Sequence, residues 1–270
     1  MSNSESSERD LFLDTTAQFN RHSLNELAKQ EIEELLSSAR ITGSSTYARL
    51  EFKMSFLQDL AYLHGKLRKF QSIPAVYVHL ARLLPFQSRK LKRALEHLAR
   101  FWQDIPGDDR DRIDAVLLCI EQEIFSIWRW FNKSVDFLAD GTGCVRSTEP
   151  PSLKRGHLEV TLQNCRRDRI RCRIHKFFEE NRSLFQAMIG EIQSLEEKDR
   201  SKELRTLEQI TASASADSKV LCDDRVCRKV GDALIGIDSK GFPELISSNS
   251  KEFRVICNAV GNALVTIRPS

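Results

Sequence analysis

Between Tyr47 and Gln71 apolar residues return every three or four positions: Leu50, Phe52, Met54, Phe56, Leu57, Leu60, Leu63, Leu67 and Phe70. A strand alternates its faces every second residue, so a stripe of this width belongs to a long amphipathic helix. The same period runs from Arg110 to Ala139 through Ile113, Leu117, Ile120, Ile124, Ile127, Phe131, Val135 and Leu138, with Gly141 placed as the residue just past a helix end. Ser23-Leu24-Asn25-Glu26 matches a capping box that opens a further helix to about Arg40, and Thr42-Gly43-Ser44-Ser45 reads as the loop that closes it. Pro74 suits the first turn of a short helix, Ala75–Leu84, ended by Pro85; Ser88 caps another from Arg89 to about Trp102. Eleven Gly and seven Pro in 270 residues are few for a many-turned β architecture. The expected class is mainly all-α: a helical bundle with a second helix-dominated region and a mixed tail.

The divisions follow from punctuation. Residues 1–22, rich in Ser and acid, are expected to be a disordered lead, and 23–140 the bundle. Residues 141–156, with Pro150 and Pro151, read as a linker. Residues 157–211 form a long basic helical region, with breaks expected near Asn181 or Gly190. Residues 212–270 are a mixed or partly disordered tail with strands expected at 233–237 and 263–267. No apolar run approaches membrane-spanning length, and the polar, acidic start lacks a secretory pattern. Seven cysteines (119, 144, 165, 172, 222, 227 and 257) form an odd set without a repeating framework, which suits a reducing compartment, cytoplasm or nucleus.

Charge is distributed unevenly. Residues 61–100 hold nine Lys or Arg against one acid, Glu96, while residues 1–60 and 101–150 are net acidic. Like charge concentrated on helices asks for an acidic partner. Arg89, Lys90, Lys92 and Arg93 are candidate phosphate contacts, extended by Lys66, Arg68, Lys69 and Arg82. A solvated basic face that binds nothing is the alternative. A second run carries Arg166, Arg167, Arg169, Arg171 and Arg173. Arginines favour planar partners such as phosphate or carboxylate, though they equally suit internal pairing with the acidic 101–150 segment. No base-reading motif is present, so no sequence preference is expected. Cys172, His175, Cys222 and Cys227 add up to a Cys₃His set without standard zinc spacing, so no metal is assigned and no cofactor is expected. Catalytic signatures are missing: Asp108/Asp109 and Glu179/Glu180 are neighbours that diverge on a helix, and His79 reads as a core or partner-facing imidazole. Trp128 and Trp130 make the 110–139 helix apolar on more than one side, which fits either core packing or contact with a partner subunit or a second copy of the chain.

Taken in order, the helices before Val76-Tyr77-Val78-His79-Leu80, the Leu84-Pro85 step and the basic Leu91-Lys92-Arg93-Ala94-Leu95-Glu96-His97-Leu98 segment resemble the middle domain of the ubinucleins, subunits of the HIRA-type histone chaperone complex. The likeness spans roughly residues 24–140. The family's short acidic histone-binding motif is not found in the first 22 residues, and its Trp- and Pro-containing later segment is missing from 157–270, which makes this a shortened or divergent member. The resemblance implies a non-enzymatic nuclear chromatin factor that binds DNA without sequence readout. Core histones and HIRA-type subunits would be its partners, replication-independent histone deposition and nucleosome assembly its role, and no membrane would be involved. The alternative is a helical adaptor that docks acidic protein segments and binds no nucleic acid.

Overall fold

The helical stripes are present, but the chain in front of them is built on a sheet. The computed structural model describes residues 9–22, 25–83, 88–105, 109–144, 146, 149–160 and 172–269; at 88–90, 104, 109 and 110 only the backbone path is described. These residues fall into two compact units, divided at Glu51/Phe52, Ser134/Val135, Thr148/Glu149 and Leu162/Gln163.

In the first unit, strand β1 (Arg9–Leu13) is followed by α1 (Thr15–Arg21), α2 (Glu26–Ser37), β2 (Ala39–Ser45) and α3 (Thr46–Phe52). Leu11, Phe12 and Leu13 are all fully buried. Leu11 and Leu13 enter a cluster with Ala17 of α1, Ile32 of α2, Ile246 and Ile267. Phe12 points the other way and meets the ring of Phe242 edge-on at 5.2 Å. A strand covered on both faces shows a continuous apolar run instead of alternation.

The second unit begins with a π-helical stretch, Lys53–Leu57, and then α4 (Gln58–Phe70), α5 (Ile73–Leu83), α6 (Ser88–Asp104) and α7 (Asp109–Lys133). Leu60, Leu63, Leu67, Val76, Leu80, Leu91, Leu98, Ile120 and Ile124 are buried among these helices. The chain returns to the first unit for β3 (Phe137–Ala139) and supplies the second with a hairpin, β4 (Ser152–Lys154) and β5 (His157–Glu159). Arg155 and Gly156, both at positive φ, make its two-residue turn. The rest belongs to the first unit: α8 (Ile174–Glu180), α9 (Arg182–Ser194), α10 (Lys202–Ala216), α11 (Asp224–Cys227), α12 (Gly231–Asp238), β6 (Glu244–Ser247), α13 (Ser250–Val260) and β7 (Ala263–Thr266).

The five long-range strands form one sheet in the order β3-β2-β1-β6-β7, and every pair is parallel. This corrects the all-α expectation: the first unit is α/β, and a helical bundle describes only the second. Residues 1–22, expected to be disordered, contain the central strand and α1. Thr42 to Ser45, expected as a loop, lies inside β2. Gly43 is there for space: a Cβ would stand 2.5 Å from the Phe242 ring and 3.0 Å from that of Phe12. The apolar run 233–237 is helix α12 instead of a strand, whereas 263–266 is β7. The break expected near Asn181 or Gly190 in the 157–211 region falls at Asn181, where α8 gives way to α9; Gly190 lies inside α9. The cap of α2 is Asn25, whose side chain accepts from the Ala28 N–H; Ser23 and Leu24 lie outside the described residues.

Candidate functional site: a carboxylate centre at the end of the central strand

After β1 the chain builds β2 and β3 on one side and β6 and β7 on the other, so the order reverses at β1. Ligand sites of open parallel sheets form at such a point, outside the carboxyl ends of the strands. The residue leaving β1 there is Asp14. It caps α1 by accepting from the Ala17 N–H at 2.7 Å, and receives hydroxyl hydrogen bonds from Ser247 at 2.6 Å and Thr16 at 2.9 Å. Even so, burial outweighs these donors and pushes its pKa up to about 6.

Two further carboxylates join it from distant parts of the chain. Glu51 lies in the last turn of α3, which β2 launches; its Oε2 accepts from the Thr15 hydroxyl at 2.7 Å. Burial, then the charges of Asp232 and Asp14, raise its pKa to about 8. Asp232, in the first turn of α12, accepts from the Asn249 amide at 3.0 Å. Burial and then the charges of Asp14 and Glu252 raise it to about 7. Glu51 and Asp232 are half-buried as residues and Asp14 is closed off, while burial is the largest cause of the raised pKa in all three. Gly231 leaves room for this: a Cβ there would run into Glu51 Oε1.

The supporting shell is polar and ordered. The Ser248 N–H donates to Thr16 Oγ1 at 2.8 Å and the Asn249 N–H to Ser247 Oγ at 2.9 Å. Asn249 is the N-cap of α13, yet its side chain serves Asp232 and does not cap its own helix. The three carboxylates are close enough to raise one another's pKa, but among the described residues no three Asp, Glu, His or Cys side chains stand at metal-ligand spacing. Thr15, Ser247 and Asn249 each hold one carboxylate oxygen.

Sequence reading missed all three acids. The signals were small: Leu11-Phe12-Leu13 running into Asp14-Thr15-Thr16 is a buried strand meeting a helix cap, Glu51 is a charge set between Leu50 and Phe52, and Asp232 heads an apolar run.

The basic candidates separate into three groups. Arg93 is engaged with Asp59, Nη2 to Oδ2 at 2.7 Å, and Lys92 approaches Glu96 at 3.7 Å. Arg68 lies against Gly156 of the hairpin, and Arg173 donates to the Asp140 carbonyl at 3.3 Å. Lys66, Lys69 and Arg82 form no ion pair among the described residues. These three act together on His79, whose imidazole is pushed below its usual range by burial and then by Lys66, Lys69 and Arg82, with no carboxylate offsetting them. Its Nε2 is buried without a hydrogen-bond partner. Lys66 sits 4.9 Å over the Tyr62 ring, and Phe70 packs on His79 at 4.9 Å, so cations and aromatic faces share this surface. The side chains of Arg89 and Lys90, and residues Arg166, Arg167, Arg169 and Arg171, lie outside the described residues.

Trp128 is core: 7 % exposed, with the buried Lys53 ammonium 5.4 Å from its ring, while Trp130 is half-buried. His175 Nδ1 and Cys222 Sγ approach to 3.9 Å, but Cys227 is turned toward the Tyr47 hydroxyl instead. No helix among the described residues is long and apolar enough to cross a membrane.

No protein-family model matches the sequence, and comparison with curated proteins and with solved structures finds no match. The ubinuclein resemblance therefore rests on its own residues.

Proposed function

We propose that the chain is a divalent-cation-dependent hydrolase of phosphodiesters in nucleic acid, with its chemistry at Asp14, Glu51 and Asp232. The observation that carries this reading is the convergence of three carboxylates, 14, 51 and 232, at the reversal point of the sheet, with their pKa values raised to about 6, 8 and 7. Groups held together against their own repulsion are poised for a cation or for proton transfer. A bound divalent cation supplies the missing positive charge, makes a water more acidic and polarises a phosphoryl oxygen. Asp14, oriented by Ser247, Thr16 and the Ala17 N–H, and Asp232, oriented by Asn249, would hold the cation only after moving closer together, since as they stand the carboxylates are not at metal-ligand spacing. Glu51, with one oxygen held by Thr15 and its pKa raised by burial, is the carboxylate suited to take the proton of the attacking water. Opposite charge nearby lowers its pKa from about 8 toward neutrality, where a carboxylate is ionised yet still accepts a proton.

Phosphate is favoured as the substrate group by the neighbouring helix end. The cap of α13 spends its side chain on Asp232, so the N-terminus of this eleven-residue helix lies at the same corner without a side-chain cap, its dipole favouring an anion there although Glu252 stands in the same turn. Lys66, Lys69 and Arg82, without an ion pair among the described residues, are a cationic surface of the second unit, considered by itself. This reading departs from the non-enzymatic expectation. The test is cleavage of end-labelled single-stranded RNA and DNA with Mg²⁺ or Mn²⁺ against EDTA. Cation-dependent cleavage that D14N lowers by about a hundredfold or more, with its ellipticity unchanged, supports the reading. No cleavage with either ion, together with no cation-induced rise in melting temperature, refutes it.

One observation favours a second reading. The cluster around His79 would hold a phosphate backbone whether or not the carboxylates act, which is what a DNA-binding chromatin factor assisting histone deposition needs. Salt-sensitive DNA retention in EDTA with no cleavage under any condition would select it.

A further inference from the structure

Helices α9 and α10 of the first unit line a groove of about 250 Å³. Its walls follow from helical spacing: Gln186, Ile189 and Gln193 recur three and four residues apart on α9, and Glu208, Thr211, Ala212 and Ser215 do so on α10. Gln186, Gln193 and Ala212 are exposed, whereas Thr211 is only 3 % exposed. The Thr211 hydroxyl has no hydrogen-bond partner among the described residues. This sets it apart on its own helix. Thr206, Ser213 and Ser215 each donate to the carbonyl one turn earlier, at 2.8, 3.0 and 2.9 Å. Thr211 forgoes that bond and borders the groove instead. A buried polar atom left unmade is costly, so a ligand that completes it gains by doing so.

The rest of the lining selects the ligand's charge. Glu208 is the one charged group among the lining residues, and Gln193 Nε2 donates to its Oε1 at 2.8 Å, tying the two walls together. Arg182, whose Nη1 reaches the Ser215 carbonyl, is already engaged by Glu179 at 2.6 Å. An anion would therefore meet a carboxylate with no cation set against it. An ammonium has three donors and no acceptor, and Glu208, the Thr211 oxygen and the Gln186 amide oxygen are three acceptors on one groove.

We propose that this groove binds a small primary amine: its ammonium is held by Glu208 and Thr211, and its apolar body lies along Ile189 and Ala212. The volume is at the low end for a ligand pocket, which limits the occupant to a small compound. None of these residues belongs to the carboxylate centre, so the site stands whether or not the chain is a hydrolase.

The test titrates the full chain with phenethylamine and follows backbone amide signals by NMR, with phenethyl alcohol and hydrocinnamate as the neutral and anionic counterparts. Wild type should bind the amine with a Kd of about 1 mM or tighter, the shifts falling on α9 and α10. The alcohol and the carboxylate should bind at least about tenfold more weakly. Glu208→Gln should weaken amine binding about tenfold, and Thr211→Val about three- to tenfold. Valine keeps the shape of Thr211 without its unmade hydrogen bond, so T211V without ligand should melt at or above wild type. No saturable shift on α9 and α10 at about 20 mM amine overturns the proposal. So does an alcohol that binds as tightly as the amine, or an unchanged Kd in E208Q or T211V. A T211V chain that melts well below wild type overturns it as well, because the hydroxyl would then be satisfied within the fold.

Discussion

Replacing Glu51 by Gln is expected to stabilise the cation-free protein at high pH and to leave it almost unchanged at low pH. Glu51 titrates at about 8 in the fold against an ordinary 4.5, because burial and then Asp232 and Asp14 disfavour its charge. A group raised in this way keeps its proton longer in the folded state than in the unfolded one. Its contribution to stability is therefore intact below about pH 4.5 and is lost as pH climbs through 8. At 1.36 kcal/mol per tenfold change in proton affinity, the full penalty at pH 8 is about 4 kcal/mol. Glu51 shares its repulsion with two acids that can hold protons in its place, so about half of this, ~2 kcal/mol, should appear. Glutamine preserves an acceptor for Thr15 and abolishes the charge. In EDTA, E51Q and wild type should agree within about 0.5 kcal/mol at pH 5, and E51Q should melt roughly 5 °C higher at pH 8. Far-UV ellipticity follows both units, whereas Trp102, Trp128 and Trp130 all lie in the second, so fluorescence melting provides a control for the helical unit. Excess Mn²⁺ should reverse the order by stabilising wild type more than E51Q. A pH-independent difference, or a less stable E51Q at pH 8, would refute the claim that these carboxylates repel one another in the fold.

Charge reversal at the cationic cluster around His79, K66E/K69E/R82E, should weaken binding to a random-sequence duplex and flatten the dependence of log affinity on log salt by about three, with the Mn²⁺-induced melting shift retained. An unchanged salt slope would remove this surface from nucleic-acid binding. Gly43→Ala should cost about 1–3 kcal/mol in urea unfolding, because its Cβ meets the Phe242 and Phe12 rings, and Phe242→Leu in the same chain should recover part of that loss. Strictly additive effects would show that the two positions do not share the contact.

How far the chain could be read without coordinates varied with the kind of signal. The stripe over Tyr47–Gln71 corresponded closely to helix, because many apolar residues at one period leave little choice of local structure; the one from Arg110 did so only to Lys133, and Phe137–Ala139, expected as its last turn, is strand β3. Short buried strands carry no such redundancy. Leu11 to Leu13 and Leu245-Ile246 are runs of two or three apolar residues, and a run of that kind does not distinguish strand from helix: Ala233 to Ile237 looked alike and is helical. Ser44 and Ser45 resembled a loop for another reason. Serine is a turn former in water, but in β2 both are fully buried, and Ser44 donates its hydroxyl to the Leu13 carbonyl at 2.8 Å. Among the bases, sequence gave no hint that Arg93 is engaged by Asp59, 34 positions earlier, while Lys66, Lys69 and Arg82 have no ion pair among the described residues.

The amino-acid sequence alone determined the local, repetitive features of this protein: the amphipathic helices, the asymmetric charge, the punctuation by Gly and Pro. Those depend on neighbours within a turn or two, and the chain states them directly. The parallel sheet and the carboxylate centre were decided only by tertiary structure. Parallel strands cannot pair with their sequence neighbours and must wait for crossovers, so β1 finds β6 more than 230 residues later. For the same reason Asp14, Glu51 and Asp232, each unremarked in its own segment, become a site only when the order of the strands reverses around β1 and burial strips away the water that kept their charges apart.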